Sequence, residues 1–136
     1  MSQEEKNKIL FEALSQYLPS KLICHISDGE NVDVDRVLTG VTINGCYFDD
    51  NGAFYGWNSF DIKPYVREFS SIMTDEEEKE FFELARDYNV VIGGFSASFP
   101  CAKLIDWLIA HHFDYRNLIP KELAIRVTKE NNPYKK

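Results

Sequence analysis

Two histidines and an aspartate near the C-terminus are the residues of this chain whose types best suit catalysis. His111, His112 and Asp114 lie within four positions, and imidazole and carboxylate groups are common metal ligands and proton carriers. Adjacent helical residues point about 100° apart, so the two imidazoles cannot share one ion as an i, i+4 pair can. We expect them to end a helix, whose negative pole stabilises imidazolium. A small metal- or histidine-dependent hydrolase that uses these three residues stays an alternative.

Three other patterns resemble reactive or ion-binding sites, and each lacks a necessary part. Cys101 is expected near a helix N-terminus, which lowers a thiol pKa, but His111 is about 15 Å further along that helix and cannot act as its base. The segment 94–98 resembles a nucleophile elbow but ends on serine instead of glycine. The acidic run 75–80 is expected to be helical, which splays carboxylates that a calcium loop would wrap around the ion. The sequence therefore assigns no catalytic residue, cofactor or metal ligand.

The composition predicts one folded domain with an acidic surface. The chain has 136 residues, of which 44% are hydrophobic, and a formal charge of -7, so direct binding to nucleic acid is disfavoured. Cys24, Cys46 and Cys101 form no CxxC pair, which is typical of reduced thiols in a cytosol. No apolar run approaches the ~18 residues of a membrane span. We therefore expect an intracellular, cytoplasmic protein that does not enter a membrane.

The first half of the chain predicts one helix followed by antiparallel strands. Ser2 and Glu5 match a capping box, and apolar residues then recur at helical spacing over residues 3–18. Alternating apolar residues predict a strand over 21–27. Two Asn-Gly dipeptides, which tolerate positive φ, predict an antiparallel meander over 34–57.

The second half predicts helices and one more strand. Residues 61–73 have no clear period, and Pro64 cannot donate to a sheet ladder, so an ordered connection or an edge segment is expected there. Thr74 and Glu77 match a second capping box. The further expectations are a buried stripe of Phe81, Leu84, Ala85 and Tyr88, a strand or apolar loop over 89–95, a helix over 101–112, and a strand over 123–127. The fold class is α+β: a small antiparallel or mixed sheet, with an N-terminal meander and a C-terminal strand, packed against about three helices. Residues 1–128 would form this single domain, and 129–136 a mobile polar tail.

The aromatic residues of the predicted meander are candidates for partner binding. Tyr47, Phe54, Tyr55 and Trp57 fall on both sides of a small sheet, so some must face outward unless helices cover both faces. Packing alone is the competing interpretation.

Acidic residues of the same region suggest a different function. Carboxylates at phosphate-like spacing on one surface could imitate nucleic acid and block a basic enzyme, with a steep dependence on salt. The residues concerned are Asp28, Glu30, Asp33, Asp35, Asp49 and Asp50. A solvated surface that only keeps the protein soluble is the competing interpretation.

Two segments join an aromatic residue and an arginine to a helix end. One is Lys63-Pro64-Tyr65-x-Arg67, which continues through Ser70-Ser71-x-Met73-Thr74-x-Glu76-Glu77, and the other is Phe113-Asp114-Tyr115-Arg116-x-Leu118-Ile119, which leads to Lys121-x-Leu123-Ala124. The arginines can bond helix carbonyls or carboxylates while the rings pack. Arginine and tyrosine are also enriched at binding hot spots, so Tyr65 and Arg67 join the partner-binding candidates.

These two segments together resemble a family of short hypothetical proteins encoded by gut bacteria of the Bacteroides type and by their phages and mobile elements. The resemblance spans roughly the last two-thirds of the chain. It implies a small accessory protein and carries over no catalytic residue. The leading hypothesis is a non-enzymatic domain that binds a protein partner, with the nucleic-acid mimic and the hydrolase as alternatives.

Overall fold

One six-stranded sheet and the helices packed against it make up the fold. The computed structural model describes residues 2–49, 51–68, 74–85, 102–114 and 116–134. Within these ranges the elements are α1 (Gln3–Tyr17), β1 (Ile23–Ser27), β2 (Asp33–Thr42), β3 (Gly45–Phe48), β4 (Phe54–Gly56), β5 (Asp61–Val66), α2 (Asp75–Ala85), α3 (Ala102–Ala110) and β6 (Ile125–Arg126). The strand order is β4-β3-β2-β1-β5-β6. All neighbouring strands are antiparallel except β5 and β6, which are parallel. The predicted α+β class is confirmed.

Helix α1 begins where the capping residues predicted and covers one face of the sheet. The Ser2 hydroxyl accepts from the Glu5 amide at 3.2 Å, and a 3₁₀ turn over Leu18–Ser20 follows the helix. The apolar stripe of α1 is buried because it packs on the inner face of the sheet. The buried residues are Leu10, Ala13, Leu14 and Tyr17 from α1, with Cys24, Ile26, Leu38, Cys46, Phe48 and Ile62 from the strands.

The predicted meander is confirmed, and it extends further toward the N-terminus than predicted. Strands β1 to β4 are consecutive antiparallel neighbours. Residues directly opposite on neighbouring strands share a face of the sheet. His25 alternates along β1 with the buried Cys24 and Ile26, so it lies on the face away from α1, the outer face. Asp35 and Lys63, which pair with His25, share this outer face.

The segment around Pro64 was predicted to be an ordered connection or an edge segment. Residues 61–66 form strand β5, which pairs with β1 over 61–64 and with β6 only at 65 and 66. Strand β5 lies inside the sheet, with Cys24 of β1 opposite Pro64. On its other side β6 pairs only with Tyr65 and Val66. Because β6 does not reach Pro64, the missing proline N–H breaks no hydrogen bond to that strand.

Tyr134 fills the place where the ladder between β1 and β5 opens. The last paired residues are Cys24 and Pro64. Beyond them the Ile23 amide donates to the Tyr134 hydroxyl at 3.0 Å, and this hydroxyl donates to the Tyr65 carbonyl at 2.7 Å. The Tyr134 ring stacks on His112, with ring centroids 3.9 Å apart. The end of the chain, predicted from its polarity to be a mobile tail, is packed on the domain at this residue.

We expect Tyr134→Phe to lower the free energy of unfolding by about 1 kcal/mol, since it leaves the partly buried Ile23 amide and Tyr65 carbonyl without their partner while keeping the stacked ring. Chemical denaturation measures the change. Tyr47→Phe is the matched control, because Tyr47 is exposed and its hydroxyl bridges no strands. Equal losses in the two variants would contradict the bridging role of Tyr134.

Helices α2 and α3 lie near the end of β5. The second capping box is confirmed: the Thr74 amide donates to Glu77 at 3.0 Å, and the Glu77 amide donates to the Thr74 hydroxyl at 3.1 Å. Phe81 is buried as predicted and packs on Trp107 of α3. Other expectations fall outside the described residues. These are the side chains of Leu84 and Ala85, residue 88, the segment 89–95, the pattern over 94–98, and Cys101.

Candidate functional site

Two of the six partner-binding candidates form an exposed aromatic pair on the outer face. Tyr47 of β3 and Phe54 of β4 are cross-strand neighbours, and their ring centroids lie 5.0 Å apart. Their exposed fractions are 43% and 44%. The rings lie over glycine backbone, because a Cβ at Gly40 would meet the Tyr47 ring at 3.3 Å and a Cβ at Gly45 would meet the Phe54 ring at 2.9 Å. The structure therefore holds both rings in place on the surface.

Two other candidates of the same region are directed into the core. Tyr55 packs edge-on against Phe48 and Phe60. Trp57 is only 4% exposed, and its indole N–H donates to the Thr42 carbonyl at 3.2 Å. Side chains alternate along β4, so Phe54 and Tyr55 point to opposite faces of the sheet. Tyr55 is the one directed into the core because α1 covers its face.

Tyr65 belongs to a polar cluster on the outer face that the sequence interpretation did not foresee. The Tyr65 hydroxyl donates to Asp35 at 3.0 Å. The two ring nitrogens of His25 lie 2.6 Å from Asp33 and 2.8 Å from Asp35. Both contacts are hydrogen bonds at the same time only when both ring nitrogens carry protons. The alternation of side chains along β1 and β2 could have indicated that His25 and Asp35 face away from the core. The register that places them opposite each other is set by the fold.

Arg67 is the centre of an ionic network that joins β5, α2 and α3. Its guanidinium donates to both Glu77 oxygens, at 2.7 and 2.9 Å, and lies 4.3 Å from the ring centroid of Phe113. His111 Nδ1 lies 2.9 Å from Glu77 Oε2. The hydrogen bonds from Arg67 lower the pKa of Glu77 to about 2. The prediction that Arg67 bonds a carboxylate or a helix C-terminal carbonyl is confirmed. Arg67 bonds the Glu77 carboxylate, and it also donates to the His111 carbonyl at the end of α3 at 3.4 Å.

The three residues of the hydrolase hypothesis do not converge. His112 Nε2 contacts the Ser20 carbonyl at 2.7 Å, and burial lowers the pKa of its imidazole. Asp114 accepts from the amides of Leu118 and Ile119 at 2.7 and 2.9 Å, so its carboxylate caps the turn that begins at these two residues. His111 and His112 do line a cleft of about 600 Å³, of which Asp114 is not a lining residue.

The second arginine motif has a different environment from the first. Arg116 Nε donates to the side chain of Gln16 at 2.9 Å, so this contact ties the segment after α3 to α1. Tyr115 lies outside the described residues.

The carboxylates of the mimicry hypothesis are mostly engaged in local contacts. Asp28 accepts from three amides of its own turn, and these hydrogen bonds lower the pKa of its carboxyl group. Asp33 and Asp35 contact His25, and Asp49 accepts from the Val37 amide at 3.0 Å. Asp50 lies outside the described residues. The carboxylates of Asp28 and Asp49 are thus held by backbone amides, and those of Asp33 and Asp35 by His25.

The two cysteines that the structure describes are buried thiols. Burial raises the pKa of Cys24 well above its ordinary value and that of Cys46 to about 12. Both therefore remain protonated near neutral pH, where the thiolate is the reactive form.

The fold and these surfaces define an α+β domain with an exposed aromatic pair at one edge of its sheet and a cleft near the other. In the described part of the chain, no group of three or more His, Cys, Asp or Glu side chains could hold a metal ion. None of its helices there is long and apolar enough to cross a bilayer. Comparisons with protein-family models, with curated proteins and with solved structures found no match.

Proposed function

We propose that this protein is a non-enzymatic intracellular accessory protein that binds a protein partner through the aromatic pair Tyr47–Phe54. One observation carries the proposal. Among the described residues, four large apolar side chains are exposed, and three of them, Ile43, Tyr47 and Phe54, belong to the two successive hairpins of β2, β3 and β4. Aromatic residues are enriched in interface cores.

The geometry of the pair supports binding because little order has to be created. Each ring already rests on a glycine of the sheet, so docking would not have to immobilise a freely rotating side chain, which otherwise costs ~0.5–1.5 kcal/mol. Three apolar side chains cannot by themselves cover the ~800 Å² that each partner contributes to an interface of standard size. The contact would therefore include neighbouring polar residues of the outer face.

The resemblance of the two arginine motifs to phage and mobile-element proteins supports an accessory role. Such a role needs recognition of another macromolecule and no reaction. Nucleic-acid mimicry stays the alternative, since Asp28, Asp33, Asp35 and Asp49 are exposed although each also contacts an amide or His25.

A comparative pull-down tests the proposal. Tagged wild-type protein, Tyr47→Ser, Phe54→Ser and Phe82→Ser are incubated with host lysate, and the retained proteins are compared by mass spectrometry. Phe82 is the matched control, because it is 48% exposed but lies on α2. We expect a partner that is retained by the wild type and by Phe82→Ser and is lost from both hairpin variants. With that partner purified, each hairpin variant should raise Kd roughly tenfold or more.

Two outcomes would overturn the proposal. One is that all four proteins retain the same set of partners. The other is that none is retained, while the purified protein turns over a small molecule and His111→Ala abolishes the turnover. Circular dichroism of each variant confirms that it is folded.

A further inference from the structure

The cleft lined by His111 and His112 has the size of a small-molecule site. Its volume is about 600 Å³, within the ~300–1,000 Å³ of typical ligand pockets. It lies where the end of β5 meets α2, the end of α3 and the segment after β6, with Arg67, Glu77, Lys129 and Tyr134 among its lining residues. The aromatic pair is on strands at the other edge of the sheet. Four strand spacings separate β4 from β5, which amounts to about 19 Å.

The charges that line the cleft are unusual for this acidic chain. Its net charge is -7, yet Glu77 is the single carboxylate among the described lining residues. Arg67 already engages both oxygens of that carboxylate. Besides the Arg67–Glu77 pair, the ionisable lining residues are Lys129, the two histidines and Tyr134. The Tyr134 hydroxyl stays protonated, because burial raises its pKa far above neutral. A cationic ligand would find no unoccupied carboxylate there, whereas an anion would meet the ammonium group of Lys129.

His111 is positioned to contact a ligand. Its Nδ1 is occupied by Glu77, which stays ionised near neutral pH because its pKa is about 2. The ionised carboxylate accepts the proton of Nδ1, and Nε2 donates to an anionic ligand when the ring is an imidazolium, in which both nitrogens carry protons. The ring also packs on Trp107 with centroids 4.3 Å apart, so two contacts fix its orientation. The side chain is 32% exposed, which leaves part of the ring open to the cleft.

The remaining walls are largely apolar. Val127 and Ala110 line the cleft together with Tyr134, whose ring is held against His112. Such walls accommodate a hydrocarbon or aromatic body, while a few polar groups fix its orientation. We propose that this cleft binds a small organic anion, with its acidic group near Lys129 and His111 and its apolar body against Tyr134 and Val127. The proposal is independent of the partner-binding function.

A binding experiment with matched probes tests this site. The probes are 4-phenylbutyrate, phenyl phosphate, inorganic phosphate and the neutral 4-phenylbutanamide, titrated into the full chain while the histidine ring signals are followed by NMR. We expect the two organic anions to shift the His111 signals, with the tighter one identifying the acidic group as carboxylate or phosphate. Inorganic phosphate should bind more weakly than either, because it lacks the apolar body, and the neutral amide should not bind.

Variants separate the proposed site from general surface binding. Lys129→Gln and His111→Gln should each weaken the binding of the organic anion by about tenfold, the size expected for one lost charge-assisted hydrogen bond. Lys121→Gln is the control, since Lys121 is an exposed lysine that does not line this cleft, and it should bind as the wild type does. Lys129 is exposed and makes no core contact, so Lys129→Gln stays informative even if His111→Gln disturbs folding.

Three results would overturn the inference. One is that the histidine signals do not respond to any probe at millimolar concentration. Another is that the amide binds as tightly as the carboxylate. The third is that Lys129→Gln binds the organic anion as tightly as the wild type does.

Discussion

Replacing Arg67 by methionine is expected to lower the free energy of unfolding by roughly 3 kcal/mol, the largest loss that we expect from one exchange in the ionic network. Methionine retains an apolar stem but removes both hydrogen bonds to Glu77 and the cation over Phe113. Glu77 is only 13% exposed, so its carboxylate would remain in a poorly solvated place with His111 as its nearest basic group.

The control for this variant is an arginine whose ion pair is solvated. Arg126 lies 2.9 Å from Glu68, and their side chains are 54% and 40% exposed. Arg126→Met should cost less than about 1 kcal/mol, as exposed pairs generally do. Equal losses at the two arginines, measured by chemical denaturation, would show that burial of the network is unimportant.

The same network predicts how stability depends on acid. The pKa of Glu77 falls from its ordinary 4.5 to about 2 in the folded protein, chiefly through Arg67. A carboxyl group with a depressed folded pKa stabilises the protein above its unfolded pKa and loses this contribution as pH falls through the folded value. Between about pH 4.5 and 2 the wild type should therefore lose this contribution. In Arg67→Met the loss should be absent, because the main cause of the shift is gone.

Gly45→Ala is expected to destabilise the domain by roughly 3 kcal/mol, since inserted atoms force backbone shifts in a packed region. A Cβ at this position would lie 2.3 Å from the Tyr55 carbonyl oxygen and 2.7 Å from Gly56 Cα. Both are backbone atoms of the neighbouring strand β4, so no side-chain rotation relieves the contact. Strand β4 cannot simply move away, because the adjoining Trp57 is buried in the core.

Gly52→Ala is the matched control for this prediction. Gly52 has φ 73°, with no atom within 4 Å of an added Cβ, so alanine there meets conformational strain of roughly 1 kcal/mol and no collision. Thermal or chemical denaturation measures both variants. If Gly45→Ala is no worse than Gly52→Ala, the close approach of β3 and β4 is wrong. If the proposed function holds, Gly45→Ala should also lose the partner, because Phe54 rests on that glycine.

Signals that act over three or four residues predicted the elements well. The capping residues Ser2 and Thr74 each precede the helix that they predicted. Asn51 and Gly52 form a turn with positive φ between β3 and β4 as predicted, whereas Gly45 of the other Asn-Gly dipeptide is the first residue of β3 and not a turn residue. These features depend on hydrogen bonds and spacing within one stretch of chain, so the order of letters contains the needed information.

Strand β5 shows where such signals stop. Pro64 argued for a connection or an edge segment, and the pairing that places β5 between two strands comes from β1, far before it in the chain, and from β6, about sixty residues after it. The bridge by Tyr134 depends on the same arrangement. No local pattern around residue 64 contains either partner.

The candidate sites divide in the same way. The sequence by itself determined an acidic α+β domain with aromatic residues in a meander, because composition, periodicity and turn chemistry are properties of neighbouring residues. Only the tertiary structure decided that Tyr47 and Phe54 face outward while Trp57 is buried, and that Arg67, Glu77 and His111 meet beside one cleft. The physical reason is that exposure and charge pairing depend on which distant surface covers each side chain, and that surface exists only after the chain has closed its long-range contacts.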